Sequence, residues 1–503
     1  MRTSILGTLA IFALIAGVST VVSANSTPDS ARSELQLELG DLLFSDERDW
    51  EAIVAYDLAK VGARPVQLLR ASTGLLRSLL KVAEFNRAYR EAIFLGDLDS
   101  SDPDLEALQA DAFWASGLFE EAEVKYRDVL AVEPSNAAAH HGFGRSLAAR
   151  SRLEEGLAEV ITAIASGDQR PEFYHTLGSI YRRLRRYQES SDALEQYVEL
   201  LPNVRQSKRT EWARSEVLFL RSFGDLVPFE ITTDANAVHT IPFRVVNEKV
   251  VVRGRVNGSE LIDLVVDTGS EQMVLSQERA DEVGVRPITS TISAGVGEVG
   301  IRGLDLGRVD SLEIGSLHIR NLPSLIKNPP LTGLPSRRVP DSISPIAFGL
   351  STLIDYENHK ILLGRHLPDS PADIELPMRI HRLALVRGVV NEEHPRSFVV
   401  DTGGEVISLS IGTAGVLGMV PSRHIPLRVY GTSGWDPDAF LLPGIQLAFN
   451  QITYDNFSVV VLNLHRPSAL LGFHIGGIVG HTFLKNYRVT LDLERSMLRL
   501  TRL

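Results

Sequence analysis

A chain of 503 residues, 44% hydrophobic and 23% charged, has enough apolar sequence for roughly three globular domains. Its formal net charge of -12 excludes a general binder of nucleic acid or anionic membrane, which needs a positive field to meet phosphates. The absence of cysteine excludes disulfides, thiolate metal sites and cysteine nucleophiles.

Residues 1–24, MRTSILGTLAIFALIAGVSTVVSA, carry one basic residue, Arg2, then an apolar stretch from Ile5 to Val22 and the small-residue ending Val22-Ser23-Ala24. This is the pattern of a secretory signal peptide cleaved after Ala24, so the rest of the chain is expected to be exported, periplasmic or secreted. An uncleaved single-helix membrane anchor is the alternative.

From 33 to 224 the sequence is rich in Ala, Leu, Glu and Arg, with apolar positions at helical spacing. A period of 34 stands out: Gly144 and Gly178 lie 34 apart, and Pro134 and Pro202 lie 68 apart. In the unit from Pro103 to Asn136, the residues Phe113, Gly117, Phe119, Ala122, Tyr126 and Pro134 alternate large, small and helix-ending types; Gly178, Tyr181, Tyr187, Leu194 and Pro202 reprise them in the unit from Pro171. The segment resembles a tetratricopeptide array, an all-α solenoid in which each helical hairpin buries the open apolar face of the next. About five hairpins are expected, the last three clear, with a closing helix near Trp212 to Phe223. The resemblance implies a groove for a peptide or protein partner.

After Asp225 the texture changes to short β-branched runs punctuated by Gly and Pro, which are strand signals. VVDTGS (265–270) and VVDTGG (399–404) repeat almost letter for letter, 134 residues apart, each between two apolar strand-like runs. Gly349 follows Asp267 by 82 residues and Gly480 follows Asp401 by 79, and a terminal strand pair follows each glycine (353–363 and 490–500). On this alignment the first copy is six residues shorter between its glycine and the strand. The runs 311–322 and 444–457 also shadow one another. A β unit of about 130 residues has therefore been duplicated, giving lobe 1 at 226–366, a linker at 367–377 and lobe 2 at 378–503. The run 328–345 reads as a long Pro-rich loop.

At the paired Val-Val-Asp-Thr-Gly motifs the chain resembles the aspartic proteases, specifically their retropepsin-like and pepsin-like lobes, over roughly 229–503. The resemblance implies an all-β, two-lobed architecture and an endopeptidase with Asp267 and Asp401 as its catalytic pair. Two carboxylates in contact share one proton, so one serves as base toward water and the other as acid toward the substrate. Gly269 and Gly403 would allow close approach of the two loops. In family terms Thr268 and Thr402 bond across to the opposing loop. Ser270 can donate a hydrogen bond to the outer oxygen of the Asp267 carboxylate and favour its ionised form, which Gly404 cannot do for Asp401. The resemblance also implies a hairpin closing over substrate at AGVGEVG (294–300), with Gly295 and Gly297, and a counterpart at 428–440 with Tyr430 and Trp435.

Gly295, Gly297 and Gly300 also satisfy the dinucleotide fingerprint, but the residues after Gly300 read as strand, whereas a dinucleotide loop leads into a helix. No cofactor is expected. The thirteen histidines form no ligand spacing, so no metal is expected, and no Ser-centred nucleophile elbow occurs. Two alternatives stand beside the intramolecular enzyme: lobes that pair between chains, and a non-catalytic scaffold with degenerate lobes that bind peptide.

Overall fold

The computed structural model describes residues 28–98, 101–201, 208–234, 236–297, 301–327, 341–420, 426–431 and 434–503. Residues 1–24, the expected signal peptide, lie outside them. Two compact units divide between Ala112 and Phe113. Among the described residues no helix is long and apolar enough to cross a membrane.

The first unit begins with two helical hairpins, Pro28–Ser45 with Asp49–Ala59 and Pro65–Lys81 with Phe85–Leu98. Their core is built on Leu37, Ile53, Tyr56, Leu75, Leu76 and Leu95, all nearly or wholly buried. The Tyr56 hydroxyl keeps a polar partner by donating to Asp41 Oδ1 at 2.8 Å.

The tetratricopeptide-like period becomes regular from Pro103. Helices start at Pro103, Ala137 and Pro171, and their hairpin partners at Phe119, Leu153 and Tyr187, each advancing by 34 residues. In the second unit Gly144 and Gly156 let two helices touch, since a Cβ on Gly144 would stand 2.8 Å from the Gly156 carbonyl oxygen. The closing helix runs Lys208–Arg221.

The rest of the second unit is two β lobes joined by one shared sheet. Six of its strands, which bridge the lobes, lie in the order His239–Pro242, Lys360–Gly364, Ser351–Asp355, Tyr487–Asp492, Met497–Arg502, Ile374–His381. The middle pair registers Thr352 with Leu491, Leu353 with Thr490 and Ile354 with Val489. Equivalent positions here lie 137 apart, so a pseudo-twofold axis passes through the Leu353–Thr490 pair. The outer strands obey it too: Pro242 pairs with Lys360 and Pro377 with Met497. One continuous core, with Val250, Val266, Leu312, Val386, Phe398, Val400 and Leu447 among its members, runs through both lobes.

Several sequence expectations change. The glycine equivalent to Gly480 is not Gly349. Ile343 pairs in parallel with Val266, as Val479 pairs with Val400, so Ser344 occupies the Gly480 position. Gly349 instead ends the 3-10 turn Pro345–Phe348 in a left-handed conformation, φ 67°. With this register the six-residue shortening disappears: Ser344 precedes Asp355 by 11 residues and Gly480 precedes Asp492 by 12. The Pro-rich run 328–345 contains at its end the strand Ser342–Ile343, and the expected linker 367–377 contains at its end the start of the strand Ile374–His381. Each lobe also carries a short helix, Gln277–Glu282 or Ile411–Val416, capped by Ser276 or Ser410 at equivalent places.

Candidate active site

Each candidate aspartate stands where a short parallel strand pair ends. The Asp267 amide donates to the Ile343 carbonyl at 2.9 Å and the Asp401 amide to the Val479 carbonyl at 3.0 Å. The strand Ile262–Val266 and the apolar end of the strand His394–Val400 thus carry both carboxyls out of the core at matching points. The amides of Gly269 and Gly403 donate to Oδ1 of Asp267 (3.0 Å) and of Asp401 (2.8 Å), fixing each carboxyl plane.

The two loops then lock to each other. Thr268 Oγ1 accepts from the Thr402 amide at 3.0 Å and donates to the Val400 carbonyl at 2.7 Å. Reciprocally, Thr402 Oγ1 accepts from the Thr268 amide at 3.1 Å and donates to the Val266 carbonyl at 2.7 Å. Both threonines are fully buried, so these four bonds satisfy groups that water does not reach. Glycine is required beside them: a Cβ on Gly269 would lie 2.4 Å from Asp401 Cγ, and one on Gly403 2.7 Å from Asp267 Cγ. Each lobe's glycine is the wall against which the other lobe's carboxyl rests. Asp267 and Asp401 are therefore brought together within a single chain.

Burial first, and the like charge of Asp401 second, push the Asp267 carboxyl up to about 7, while Lys327 and Lys249 pull it back. Asp267 keeps partial exposure. A carboxyl pair in this state holds a proton at mildly acidic pH while remaining open to water.

Ser270 departs from expectation. Its hydroxyl donates to the Gln272 carbonyl at 2.9 Å, stabilising the turn rather than the Asp267 carboxylate. At the matching Gly404 a Cβ would come 2.9 Å from Asp401 Oδ2, so the position is small because the carboxylate fills the space.

At both expected hairpins the flanking strands pair. In lobe 1 the strands Pro287–Ala294 and Ile301–Ile314 lead into and out of the loop that holds Gly295 and Gly297, the latter with φ 138°. The residues after that loop form strand, as the sequence predicts. In lobe 2, Val429–Gly431 pairs with Gly434–Asp436, setting Tyr430 opposite Trp435 in the ladder. The Tyr430 side chain lies outside the described residues; Trp435 is partly buried, with the Arg428 guanidinium 5.5 Å from its ring centre. The hairpins meet backbone to backbone, since a Cβ on Gly431 would stand 2.2 Å from the Val296 carbonyl oxygen.

Sequence reasoning missed some participants. Glu271, one residue beyond the repeated hexapeptide, forms an ion pair at 2.8 Å with Arg382 of lobe 2. The signal was present, because a glutamate follows both hexapeptides, as Glu271 and Glu405. Lys249 and Lys327 gave none, being single lysines in strand-like runs.

Residues 252–365 match a family model described as aspartyl protease. This covers lobe 1 only; lobe 2 is tied to it by the pseudo-twofold register and the paired loops. No curated protein matches the chain. Among solved structures, a thermophilic TPR protein of Thermus thermophilus is 20% identical with a TM-score of 0.32, covering 37% of this chain and 99% of its own. PilF of Pseudomonas aeruginosa is 11% identical with a TM-score of 0.29, covering 39% and 87%. YrrB, a TPR protein described as having an unusual peptide-binding site, is 15% identical with a TM-score of 0.23, covering 34% and 86%. The repeat character of the helices rests on their 34-residue advance. The chain thus joins tetratricopeptide-like helical repeats to an aspartyl protease-like β region.

Proposed function

We propose that the β region is an aspartic endopeptidase in which Asp267 and Asp401 share one proton and activate water. The observation that carries this reading is the mutual seating of the carboxyls, each against the other lobe's glycine with the two threonines bonded across. The ionised carboxylate takes a proton from water as its oxygen attacks the peptide carbonyl carbon, and the protonated carboxyl gives its proton to the carbonyl oxygen. Collapse of the resulting gem-diol breaks the C–N bond, with a proton passing to the leaving amine. The hairpins at 294–300 and 428–440 would cover an extended peptide. The helical repeats would bring a peptide or protein partner, and the apolar start of the chain would direct export.

The test is a digest of a peptide library by the full chain beside its Asp267→Asn and Asp401→Asn variants. Each variant should lose cleavage by a factor on the order of a thousand or more while keeping its fold. Near-normal turnover by either variant would sink the reading.

A further inference from the structure

The helical repeats do more than adjoin the lobes, because one turn of the array bonds to both. Between the helices Pro171–Arg183 and Tyr187–Leu200 the chain reverses at Arg185, which adopts φ 64°. Arg185 Nη1 donates to the Phe229 carbonyl at 2.7 Å and Nη2 donates to the Phe348 carbonyl, both in lobe 1. Two residues earlier, Arg183 Nη1 donates to the Ile380 carbonyl of lobe 2 at 3.0 Å and to the Ala148 carbonyl of the array at 2.6 Å. Among the described residues neither guanidinium forms an ion pair with a carboxylate. Both direct their donors at backbone carbonyls, which fixes direction better than a lone charge pair.

The bonded carbonyls belong to segments that reach the aspartates. Phe348 ends the 3-10 turn after the strand Ser342–Ile343, and the Ile343 carbonyl holds the Asp267 amide. Ile380 lies two residues before Arg382, which pairs with Glu271 beside the Asp267 loop. Burial lowers the Arg183 guanidinium to about 10 and lowers Arg185 as well.

Flanking contacts divide in the same way. Tyr187, Leu194, Phe219 and Phe223 pack with Leu306 of lobe 1. On lobe 2, Ser397 Oγ donates to the Gly117 carbonyl and Ser496 Oγ to the Arg150 carbonyl, both at 2.6 Å.

We infer that Arg183 and Arg185 are positioning residues, and that their turn straps lobe 1 to lobe 2 and holds the two aspartates at working separation. This rests on the reading of Asp267 and Asp401 as a proton-sharing pair. Peptide-bond chemistry is sensitive to such placement, a displacement of about 1 Å costing up to roughly a hundredfold in rate.

The test uses the full chain with Arg183→Met, Arg185→Met and both together. Arg186→Gln serves as control, since Arg186 is exposed and pairs with its own helix through Glu189. Carboxyl carbon NMR titration of the two aspartates reads their coupling without any need for turnover. Loosening the strap should lower the pair's upper apparent pKa by about one unit. It should also cut kcat about tenfold or more, with KM changed less than about threefold. Arg186→Gln should leave both unchanged.

Wild-type titration in the folded double variant would overturn the inference. If the methionine variants fail to fold, Arg185→Lys, which keeps the charge but cannot fork to two carbonyls, is titrated instead: a lowered upper pKa supports the strap and a wild-type curve overturns it. A wild-type pair that titrates jointly yet cleaves no peptide would overturn the proposed function and leave the strap to be judged by titration alone.

Discussion

Replacing Asp267 with asparagine should change how stability depends on pH, and the direction follows from the pair's geometry. In the folded chain burial and the Asp401 charge raise Asp267 from an ordinary 3.8 to about 7. The fold therefore retains a proton that the unfolded chain releases. The stabilisation from that proton is full below 3.8 and is lost as pH rises through 7. At about 1.4 kcal/mol per pH unit the ceiling is ~4 kcal/mol. Water at the partly exposed carboxyls and salt screening reduce the expected loss to about 1–2 kcal/mol. An asparagine side chain cannot ionise, so Asp267→Asn should gain that amount over wild type on moving from pH 4.5 to pH 8.5. Urea denaturation of both proteins at both pH values measures it, because the titrations of groups remote from the pair cancel in the difference and what remains belongs to the pair. An equal variant-minus-wild-type difference at the two pH values would refute the assignment of a raised, shared proton to this site.

Two further substitutions test the surroundings of the pair. Thr268→Val removes an acceptor for the Thr402 amide and a donor to Val400, and should destabilise the β region by about 2–4 kcal/mol with loss of cleavage; a denaturation midpoint equal to wild type would show that the cross-lobe bonds contribute nothing. Gly404→Ser puts a Cβ 2.9 Å from Asp401 Oδ2, so cleavage should fall at every pH; a folded variant whose activity merely extends to lower pH would show that the added hydroxyl, not the crowding, dominates.

The two architectures were legible for different reasons. The 34-residue repeat shows in sequence because each hairpin demands large and small residues at fixed positions, and the structure keeps that advance from Pro103 onward. The duplicated β unit shows because a carboxyl held by a glycine amide, beside a buried threonine that bonds the opposing loop, tolerates few substitutes. What stayed hidden depends on long-range pairing. The strand Ser342–Ile343 is two residues long, too short for any alternation to show, and exists because Val265 and Val266 lie beside it. That one omission let Gly349 stand in for the Gly480 position. The constraint at Gly480 is local crowding, since a Cβ there would come 2.6 Å from the Val406 carbonyl, whereas Ser344 is tolerated with its buried Oγ lacking a hydrogen-bond partner among the described residues. Ser270 was misjudged because a serine after Asp-Thr-Gly can serve either the carboxylate or its own turn, and only the fold selects the Gln272 carbonyl.

A pseudo-twofold axis by itself would make the two carboxyls equal, yet proton sharing works through a difference between them. The structure supplies one in its charges. Lys327 and Lys249, both of lobe 1, bear on Asp267 and favour its ionised form, with Lys327 the stronger. Lys327→Met should therefore raise Asp267 further and keep the shared proton to higher pH. The alkaline limb of the cleavage profile should move up, and the gap between variant and wild type should narrow in high salt as the lysine's field is screened. A pH profile of cleavage for both proteins, at low and at high salt, with folding checked at each point, reads the effect. An unchanged or downward-shifted alkaline limb in the folded variant would show that Lys327 does not act on the pair through its charge.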